Sequence, residues 1–528
     1  MSRRVIAYDS TLRDGAQAQG VSFSVEDKLK IVQRLDELGI GYVEAGNPGS
    51  NPKDLEFFTR VGELNLRHAK IIAFGSTRRI GITAAEDKNL QSLLSANTQA
   101  VAIFGKSWDY QVTDILRTSL QENLAMIGDT IAYLKAQGKE VVFDAEHFYD
   151  GYKANAEYAL QTLQAAADAG ADVLVLCDTN GGTFPDEIFA ITKTVVARYP
   201  LLQIGIHCHN DCDMAVANSV AAIQAGAVQV QGTMNGIGER CGNANLVSII
   251  PNVQLKLGFE CISGAQLAEL TAAARFVSEV ANVAFNDKAP YVGYDAFSHK
   301  GGMHIDAVNK NPKSYEHISP NAVGNERHIL VSEVAGRGAI LSKLQQIDPT
   351  LTKESEAAIK ILEHLKALEH EGYQFESAES SFELLMQKLL GKFQPFFTLK
   401  QYSVDIHEPS ADGMNSSVTV HLIVEGQESG GSAQADGPVD ALDQAMRNAL
   451  APFYPAIQDI KLVDYKVRVL DSNLATAAKV RVMIESTDQQ TNWTTIGVST
   501  DIIQASWLAL KDAVEYKLLN AGKTRVVA

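Results

Sequence analysis

Eight short apolar runs, each followed by an amphipathic stretch, repeat along the first half of the chain and constrain its fold more than any other feature. Stretches such as 25–39 have helical spacing and stop at a glycine suited to a left-handed helix cap. Strands that alternate with helices pair in parallel, so an α/β fold is predicted. The eight runs occupy residues 5–9, 42–46, 70–75, 100–105, 141–146, 173–178, 203–209 and 229–234.

Two parallel architectures can accommodate eight such units, a closed (β/α)8 barrel and an open, doubly wound sheet. A length of about 250 residues is typical of the barrel. An open sheet of eight parallel strands is long by comparison, because most sheets have fewer strands. The repeat therefore predicts a (β/α)8 TIM barrel over residues 1–258.

The predicted secondary structure changes twice in the rest of the chain. Helical patterns dominate residues 259–393, interrupted by one loop-rich stretch at 296–320, and predict a helical linker region. From residue 394 to 528, alternating strands are closed by a helix and the same order then recurs, which predicts a duplicated α/β domain. The helical runs are 266–283, 331–347 and 355–372, and the first C-terminal strands are 401–408 and 416–426.

Charge and cysteine content exclude several classes of protein. The net charge of −17 argues against a surface for nucleic acid or an anionic membrane. No apolar stretch approaches the roughly 18 residues of a membrane helix, and the first ten residues lack the apolar region of a signal peptide. Five cysteines without a C-x-x-C pair predict neither a disulfide framework nor a structural zinc site, and favour the cytoplasm.

Polar side chains cluster at the predicted carboxyl ends of the strands. Residues from different strands converge at this end of a barrel, where barrel enzymes place their active sites. The pattern therefore predicts one polar site at the mouth. Its candidate members are Arg13, Asp14, Glu146, Asp178, Thr179, His207, His209 and Asn243.

The H-x-H pair at the end of the seventh strand is the strongest local signal for a metal. His207 and His209 are two residues apart on a strand, so both side chains point to one face. Asp14 adds an anionic oxygen and Asn243 a neutral one. Such a mixed set suits Mn²⁺, Mg²⁺, Zn²⁺ or Co²⁺ acting as a Lewis acid. The alternative is a surface pair or a hydrogen-bonded pair in the core.

Arg13 and Glu146 each allow a catalytic and a purely structural interpretation. Arg13 can donate to an oxygen that the metal holds, or it can form an ion pair that orders the loop. Glu146 can orient Arg13 across the barrel, take part in proton transfer or pair with a neighbour. Outside the barrel, His304 and Tyr315 can act as acid–base groups, although composition alone favours a solvated loop.

One Gly/Ser-rich segment in the C-terminal region allows two interpretations. Residues 426–438 lie between a predicted strand and a predicted helix. Such a segment can cradle a ligand, but it is more often a turn. We therefore expect a turn here.

Four motifs together resemble one enzyme family, the 2-isopropylmalate, homocitrate and citramalate synthases. The order of barrel, helical linker and duplicated C-terminal domain extends the resemblance over nearly the whole chain. Two segments, 8–24 and 45–58, look most similar to the citramalate synthase branch. The motifs are LRDGAQ at 12–17 with Lys28 beyond it, HCHND at 207–211, GIGERCGNANL at 236–246 and SHKGGMHIDAV at 298–308.

The resemblance implies an acyltransferase that condenses acetyl-CoA with a 2-oxo acid and hydrolyses the thioester. For the citramalate branch the oxo acid is pyruvate, in isoleucine biosynthesis. The alternative is a 2-isopropylmalate synthase, which uses 2-oxoisovalerate for leucine. More distant alternatives are a retro-aldol or retro-Claisen lyase on the same metal barrel and a non-enzymatic amino-acid sensor.

The same resemblance assigns roles to the candidate residues. Asp14, His207, His209 and Asn243 form the metal group; Arg13 polarises the keto oxygen with Glu146 holding it, and Thr179 binds the carboxylate. His304 and Tyr315 serve the acetyl-CoA half, at the partner subunit's barrel, which implies a homodimer. The C-terminal domain is expected to bind isoleucine as a feedback inhibitor.

Three positions depart from the family pattern. Asp213 stands where the second motif expects glycine, and Ala16 where many relatives have glutamate. Asp144 is uncommon for the isopropylmalate branch and lies on the same strand face as Glu146. We expect it near the oxo-acid pocket, with no role that the sequence assigns.

Overall fold

In a computed structural model of the chain, the eight apolar runs form the eight parallel strands of one closed barrel. The strands follow chain order, with the first pairing both the second and the eighth. The predicted TIM barrel is therefore confirmed and the open sheet is excluded. The residues that the structure describes are 3–49, 52–329, 344–345, 348–349, 351–352, 355–407, 415–470, 477–488 and 491–521.

The barrel strands lie within two residues of the predicted runs at each end. Eight further strands of the described residues follow the barrel in the chain. The barrel strands are β1 Ile6–Asp9, β2 Tyr42–Gly46, β3 Lys70–Ser76, β4 Ala100–Lys106, β5 Glu140–Glu146, β6 Val173–Asp178, β7 Gln203–Cys208 and β8 Gln229–Gly232. The remaining strands are β9 Ser298–His299, β10 His328–Ile329, β11 Phe397–Ile406, β12 Ser416–Val424, β13 Gln427–Ala435, β14 Lys461–Val469, β15 Val480–Thr487 and β16 Asn492–Ser499.

The first helix shows how local sequence sets the element ends. The Ser24 hydroxyl accepts from the backbone N–H of Asp27, whose carboxylate accepts from the N–H of Ser24. This capping box starts α1, and Gly39 just beyond its end adopts a φ of +85°. The helices of the first half are α1 Val25–Glu37, α2 Pro52–Val61, α3 Lys88–Ser95, α4 Leu120–Ala136, α5 Phe148–Asp168, α6 Pro185–Arg198, α7 Ala215–Ala225 and α8 Leu246–Pro251.

Helices dominate the described residues after the barrel, as predicted for the linker. The run at 331–347 lies almost wholly outside the described residues. None of the helices within the described part of the chain is long and apolar enough to cross a membrane. The later helices are α9 Gly264–Leu267, α10 Leu270–Val280, α11 Gly302–Lys310, α12 Glu356–Glu371, α13 Glu379–Leu389, α14 Pro438–Leu450 and α15 Ile502–Ala521.

Alternation along the strands separates two apolar layers. Side chains such as Tyr8 and Val175 pack inside the barrel, whereas Ile206 and Cys208 belong to the larger core between strands and helices. Because successive residues of a strand point to opposite faces, His207 is on the interior side. The barrel interior therefore receives the polar residue of β7, as its spacing predicts.

The described residues group into two compact units. The first comprises residues 1–298 and 316–328, and the second comprises 299–315 and 329–528. In the second unit, the antiparallel sheet β11–β12–β13 is covered by α14, and the antiparallel sheet β14–β15–β16 is covered by α15. This repeat agrees with the predicted duplication, while the three-domain boundaries at 258 and 393 stay a prediction.

The Gly/Ser-rich segment at 426–438 is not the predicted turn. Residues 427–435 form β13, paired along its length with β12. Its small residues allow α14 to approach, since a Cβ on Gly431 would lie 2.2 Å from the Ala445 carbonyl oxygen and 2.6 Å from the Ala449 nitrogen. Composition predicts a turn because glycine favours turns, whereas here glycine permits close packing of a strand against a helix.

We expect Gly431→Ala to destabilise the second unit by about 1–3 kcal/mol, the usual cost of forcing atoms into a packed region. The matched control is Gly430→Ala on the same strand, where the nearest atoms to a Cβ would be the His421 ring at 3.6 Å and the Val420 carbonyl oxygen at 3.9 Å, both ordinary contact distances. Denaturant unfolding of the full chain measures both. Equal transition midpoints for the two variants would contradict the packing argument.

Candidate active site

Three predicted ligands meet at the carboxyl end of the barrel. Asp14 follows β1, His207 lies in β7 and His209 directly follows it; all three are buried. Each offers one ligand atom, and these atoms lie within 4.8 Å of one another. The Nε2 atom of His207 is 3.6 Å from Oδ2 of Asp14. Parallel strands whose carboxyl ends share one rim bring together residues about 190 positions apart in the sequence.

Asn243 completes the predicted set. Its Nδ2 donates to Oδ1 of Asp14 at 2.9 Å, and its backbone pairs with His209 in an isolated bridge. Its Oδ1 is buried and accepts a hydrogen bond from none of the described residues. Nδ1 of His209 is also buried and has no hydrogen-bond partner among them. Buried polar atoms without partners are uncommon, so these atoms point to a ligand that satisfies them.

The charge states of this group suit a divalent cation. Burial pushes the pKa of Asp14 upward, but Arg13 and the two histidines outweigh it and hold that pKa well below its usual range. Burial, together with the nearby His207, lowers the pKa of His209 to about 4. Asp14 is therefore anionic and His209 neutral near pH 7, as metal ligation requires. The donor set of two imidazoles, one carboxylate and one amide oxygen fits a Lewis-acidic metal.

Arg13 is held by carboxylates on two sides. Its Nη1 donates to Asp14 at 2.7 Å and its Nε donates to Glu44, which is fully buried in β2. Its guanidinium lies over the Phe74 ring, 3.9 Å from the centroid. Burial lowers the pKa of Arg13, but Glu44 and Asp14 outweigh it and raise that pKa, so the group stays charged.

Glu44 is a residue that sequence reasoning missed. Its carboxylate also accepts from Ser10 Oγ at 2.7 Å and from the Tyr8 hydroxyl. A glutamate in the run YVEAG looks like any strand residue, and no motif marked it. The signal available is its place two residues before the end of a barrel strand, close to the rim on which Glu146 ends β5.

Glu146 does not hold Arg13 in this structure. Its Oε2 lies 2.5 Å from Nζ of Lys106, the residue opposite it in the β4–β5 register. The suggestion that Glu146 orients Arg13 is corrected on this point, because the adjacent strand supplies a nearer cation. The interpretation that Glu146 pairs with a neighbour describes the observed contact.

Thr179 is positioned by a residue with unusual backbone geometry. His147, directly after β5, adopts a left-handed φ of 59°, and its backbone N–H donates to Thr179 Oγ1 at 2.8 Å. The Thr179 carbonyl accepts from Arg240 at 2.8 Å. Since a hydroxyl has one proton and can also accept, Thr179 retains a donor for a carboxylate. Asp178 instead binds Thr183 and Asn218 behind the rim, which indicates a structural role.

His304 and Tyr315 lie together in the second compact unit. Their rings stack with centroids 4.1 Å apart, and both side chains are exposed. His304 is in α11 and Tyr315 follows the short 3-10 turn after it. The structure thus shows that these two residues, which are eleven positions apart in the sequence, are in contact.

Asp213 is compatible with its glycine-like position. It adopts a φ of +58°, and its Oδ1 accepts from Asn210 Nδ2 at 3.2 Å. Aspartate tolerates the left-handed region better than most residues. The departure from the motif therefore leaves the turn after His209 intact.

Comparisons with known proteins cover the chain in three parts. Residues 4–277 match the HMGL-like family, residues 291–372 match the homocitrate synthase post-HMGL domain-like family, and residues 376–518 match the LeuA allosteric (dimerisation) domain.

Relatives that align over nearly the full length come from two enzyme groups. The chain is 52% identical to the (R)-citramalate synthase of Aquifex aeolicus, over 98% of this chain and 99% of that protein. It is also 52% identical to the (R)-citramalate synthase of Synechocystis, over 98% of this chain and 97% of that protein. A probable 2-isopropylmalate synthase of Methanopyrus kandleri is 31% identical, over 96% of this chain and 97% of that protein.

Proposed function

Because the chain belongs to the HMGL-like family and to the group of the (R)-citramalate synthases, we propose that it converts acetyl-CoA, pyruvate and water to (R)-citramalate and CoA. The observation that carries this proposal is the 52% identity to two citramalate synthases over 98% of the chain, against 31% to the isopropylmalate synthase. The intact Asp14–His207–His209 group supports an active enzyme.

The metal group would consist of Asp14, His207, His209 and Asn243. A divalent cation there supplies Lewis-acid polarisation of the oxo acid. Arg13 donates to the keto oxygen and stabilises the negative charge that develops on it when the new carbon–carbon bond forms. Asp14, Glu44 and Phe74 fix its guanidinium before the substrate arrives. Thr179 donates its hydroxyl proton to the substrate carboxylate.

The acetyl half requires removal of a methyl proton from the thioester and later attack of water. We assign these steps to His304 and Tyr315, supported by their stacked, exposed arrangement. Glu146 remains a proton-transfer candidate because of its place at the rim of the barrel. In the proposed homodimer the His304–Tyr315 pair of one subunit serves the barrel of the other, and the match to a dimerisation domain supports this assembly.

An oxo-acid assay tests the function directly. The full-length protein is incubated with acetyl-CoA, a divalent metal and either pyruvate or 2-oxoisovalerate, and thiol release is followed. We expect the kcat/KM for pyruvate to be at least about tenfold higher than that for 2-oxoisovalerate. The two acids differ by one or two methylene-sized contacts, which are worth about 1–3 kcal/mol. Equal use of both acids would favour the broader 2-isopropylmalate synthase activity. Thiol release that depends on the oxo acid would also argue against a lyase.

We further propose that the C-terminal unit binds isoleucine, the expected end product, as a feedback inhibitor. The match of residues 376–518 to an allosteric domain supports this proposal. Isoleucine should inhibit the full-length enzyme more strongly than leucine or valine, and deletion after residue 393 should remove inhibition. Equal inhibition of the truncated enzyme, or none of the full chain, would count against it.

A further inference from the structure

A buried chain of polar side chains crosses the barrel beneath the metal group. Gln231 on β8 lies opposite His207 on β7 in the strand register, and both face the interior. The Oε1 atom of Gln231 is 2.8 Å from Nδ1 of His207. Its Nε2 donates to Oδ1 of Asp144 at 3.1 Å. Gln231 and Asp144 contribute no atom to the candidate metal group.

The oxygens around Gln231 determine the orientation of its amide. Its Nε2 faces two acceptors, the Asp144 carboxylate at 3.1 Å and Oε1 of Gln229 at 3.5 Å. With Asp144 ionised, turning the amide over would place its oxygen against both of them. Its Oε1 therefore faces His207, and the only group there that can satisfy it is an N–H on Nδ1.

This arrangement selects one tautomer of His207. With the proton on Nδ1, the lone pair is on Nε2, which is the nitrogen that lies 3.6 Å from Asp14. We propose that Gln231 is a positioning residue that holds His207 in its metal-binding tautomer, with Asp144 as the anchor that orients the Gln231 amide. The inference rests on the metal site of the proposed function and goes beyond it by assigning roles to Gln231 and Asp144.

Loss of the Gln231 contact is expected to lower the affinity of the site for its metal. Partners that orient a metal-binding histidine typically change metal affinity by 10- to 100-fold when they are removed. Asp144 thereby acquires a role that its sequence position did not suggest, because it acts through Gln231 rather than on the substrate. Its own neighbour in the chain, Glu146, points to Lys106 and takes no part in this chain of contacts.

The test uses the full-length protein stripped of metal by a chelator and titrated with Mn²⁺ by calorimetry. Gln231→Met, which is similar in size and accepts hydrogen bonds only weakly, is expected to weaken Mn²⁺ binding 10- to 100-fold. Asp144→Asn retains an oxygen that can accept from Gln231 and should remain within about threefold of wild type. The matched control is Gln229→Met, an equally buried amide on the same strand that does not touch His207. It removes the 3.5 Å contact to Gln231 but leaves the shorter 3.1 Å contact between Gln231 and Asp144, so it is also expected within threefold.

A second measurement separates positioning from packing. Selective ¹⁵N labelling of histidine reports the tautomer of His207 in the metal-free protein, with a His207→Gln variant to assign its signals. We expect a protonated Nδ1 in wild type and Gln229→Met, and its loss in Gln231→Met. Mn²⁺ binding by Gln231→Met within threefold of wild type, or an unchanged His207 spectrum, would overturn the inference. Wild type that binds no Mn²⁺ would instead refute the proposed metal function, while the spectrum would still test the tautomer.

Discussion

Arg13→Lys is expected to lower kcat about 100- to 1000-fold, the usual effect of removing a donor that faces developing negative charge. Arg13 uses two nitrogens for fixed contacts, Nε to Glu44 and Nη1 to Asp14. Among the described residues none accepts a hydrogen bond from Nη2, which leaves that nitrogen for the keto oxygen of the substrate. A lysine carries one charged nitrogen and cannot make all three contacts at once.

Lysine is the preferred replacement because it retains a positive charge beside two buried carboxylates. Alanine would leave Glu44 and Asp14 without that cation, and breaking a buried pair in this way typically costs about 3–5 kcal/mol of stability. The matched control is Arg34→Lys, on the outer face of α1, where Arg34 contacts Glu37 and Glu269. It should retain full activity.

Steady-state kinetics by thiol release, at saturating metal, measure the Arg13 effect. Metal content must be determined in parallel, because Arg13 contacts the ligand Asp14 directly. A fall in kcat with metal content unchanged places the effect on the reacting oxygen. A fall of less than tenfold would contradict the proposed role of Arg13.

His209→Ala is expected to abolish thiol release and to weaken Mn²⁺ binding by more than about 100-fold, since loss of a ligand should exceed the 10- to 100-fold effect of its supporting residues. His209 is buried, and among the described residues none pairs with its Nδ1. Burial and the nearby His207 hold its pKa at about 4, so a neutral ring is available to a metal near pH 7.

Chelation gives an independent test of the same site. Wild type treated with a chelator should lose activity and recover it on addition of Mn²⁺, whereas His209→Ala should not recover. The matched control is His68→Ala, an exposed histidine in the loop before β3. Activity of wild type that survives complete metal removal would refute the metal-dependent mechanism.

The fold and the convergence of Asp14, His207 and His209 could be predicted from sequence because both depend on local periodicity. Alternation of strand and helix requires parallel pairing, and the carboxyl ends of parallel strands share one rim. Asp14, His207 and His209 therefore had to converge wherever the barrel closed. The two-residue strand period also placed His207 inside and Ile206 outside.

The partners of these residues could not be predicted in the same way. Glu44 and Glu146 both lie near the carboxyl ends of strands, yet Glu44 contacts Arg13 and Glu146 contacts Lys106. Strand register and neighbouring strands decide which charges meet, and neither is written in the local pattern. Gln231 carried no signal at all, because its importance comes from lying opposite His207.

The sequence by itself determined the barrel, the rim on which the polar residues gather and the family that supplies the reaction. Only the tertiary structure decided that Glu44 holds Arg13, that Asp144 contacts Gln231, and that Gly431 of β13 admits α14 rather than forming a turn. Periodicity is a property of consecutive residues and is readable along one segment. Pairing and close packing depend on segments far apart in the chain, so they are set when the whole fold brings those segments together.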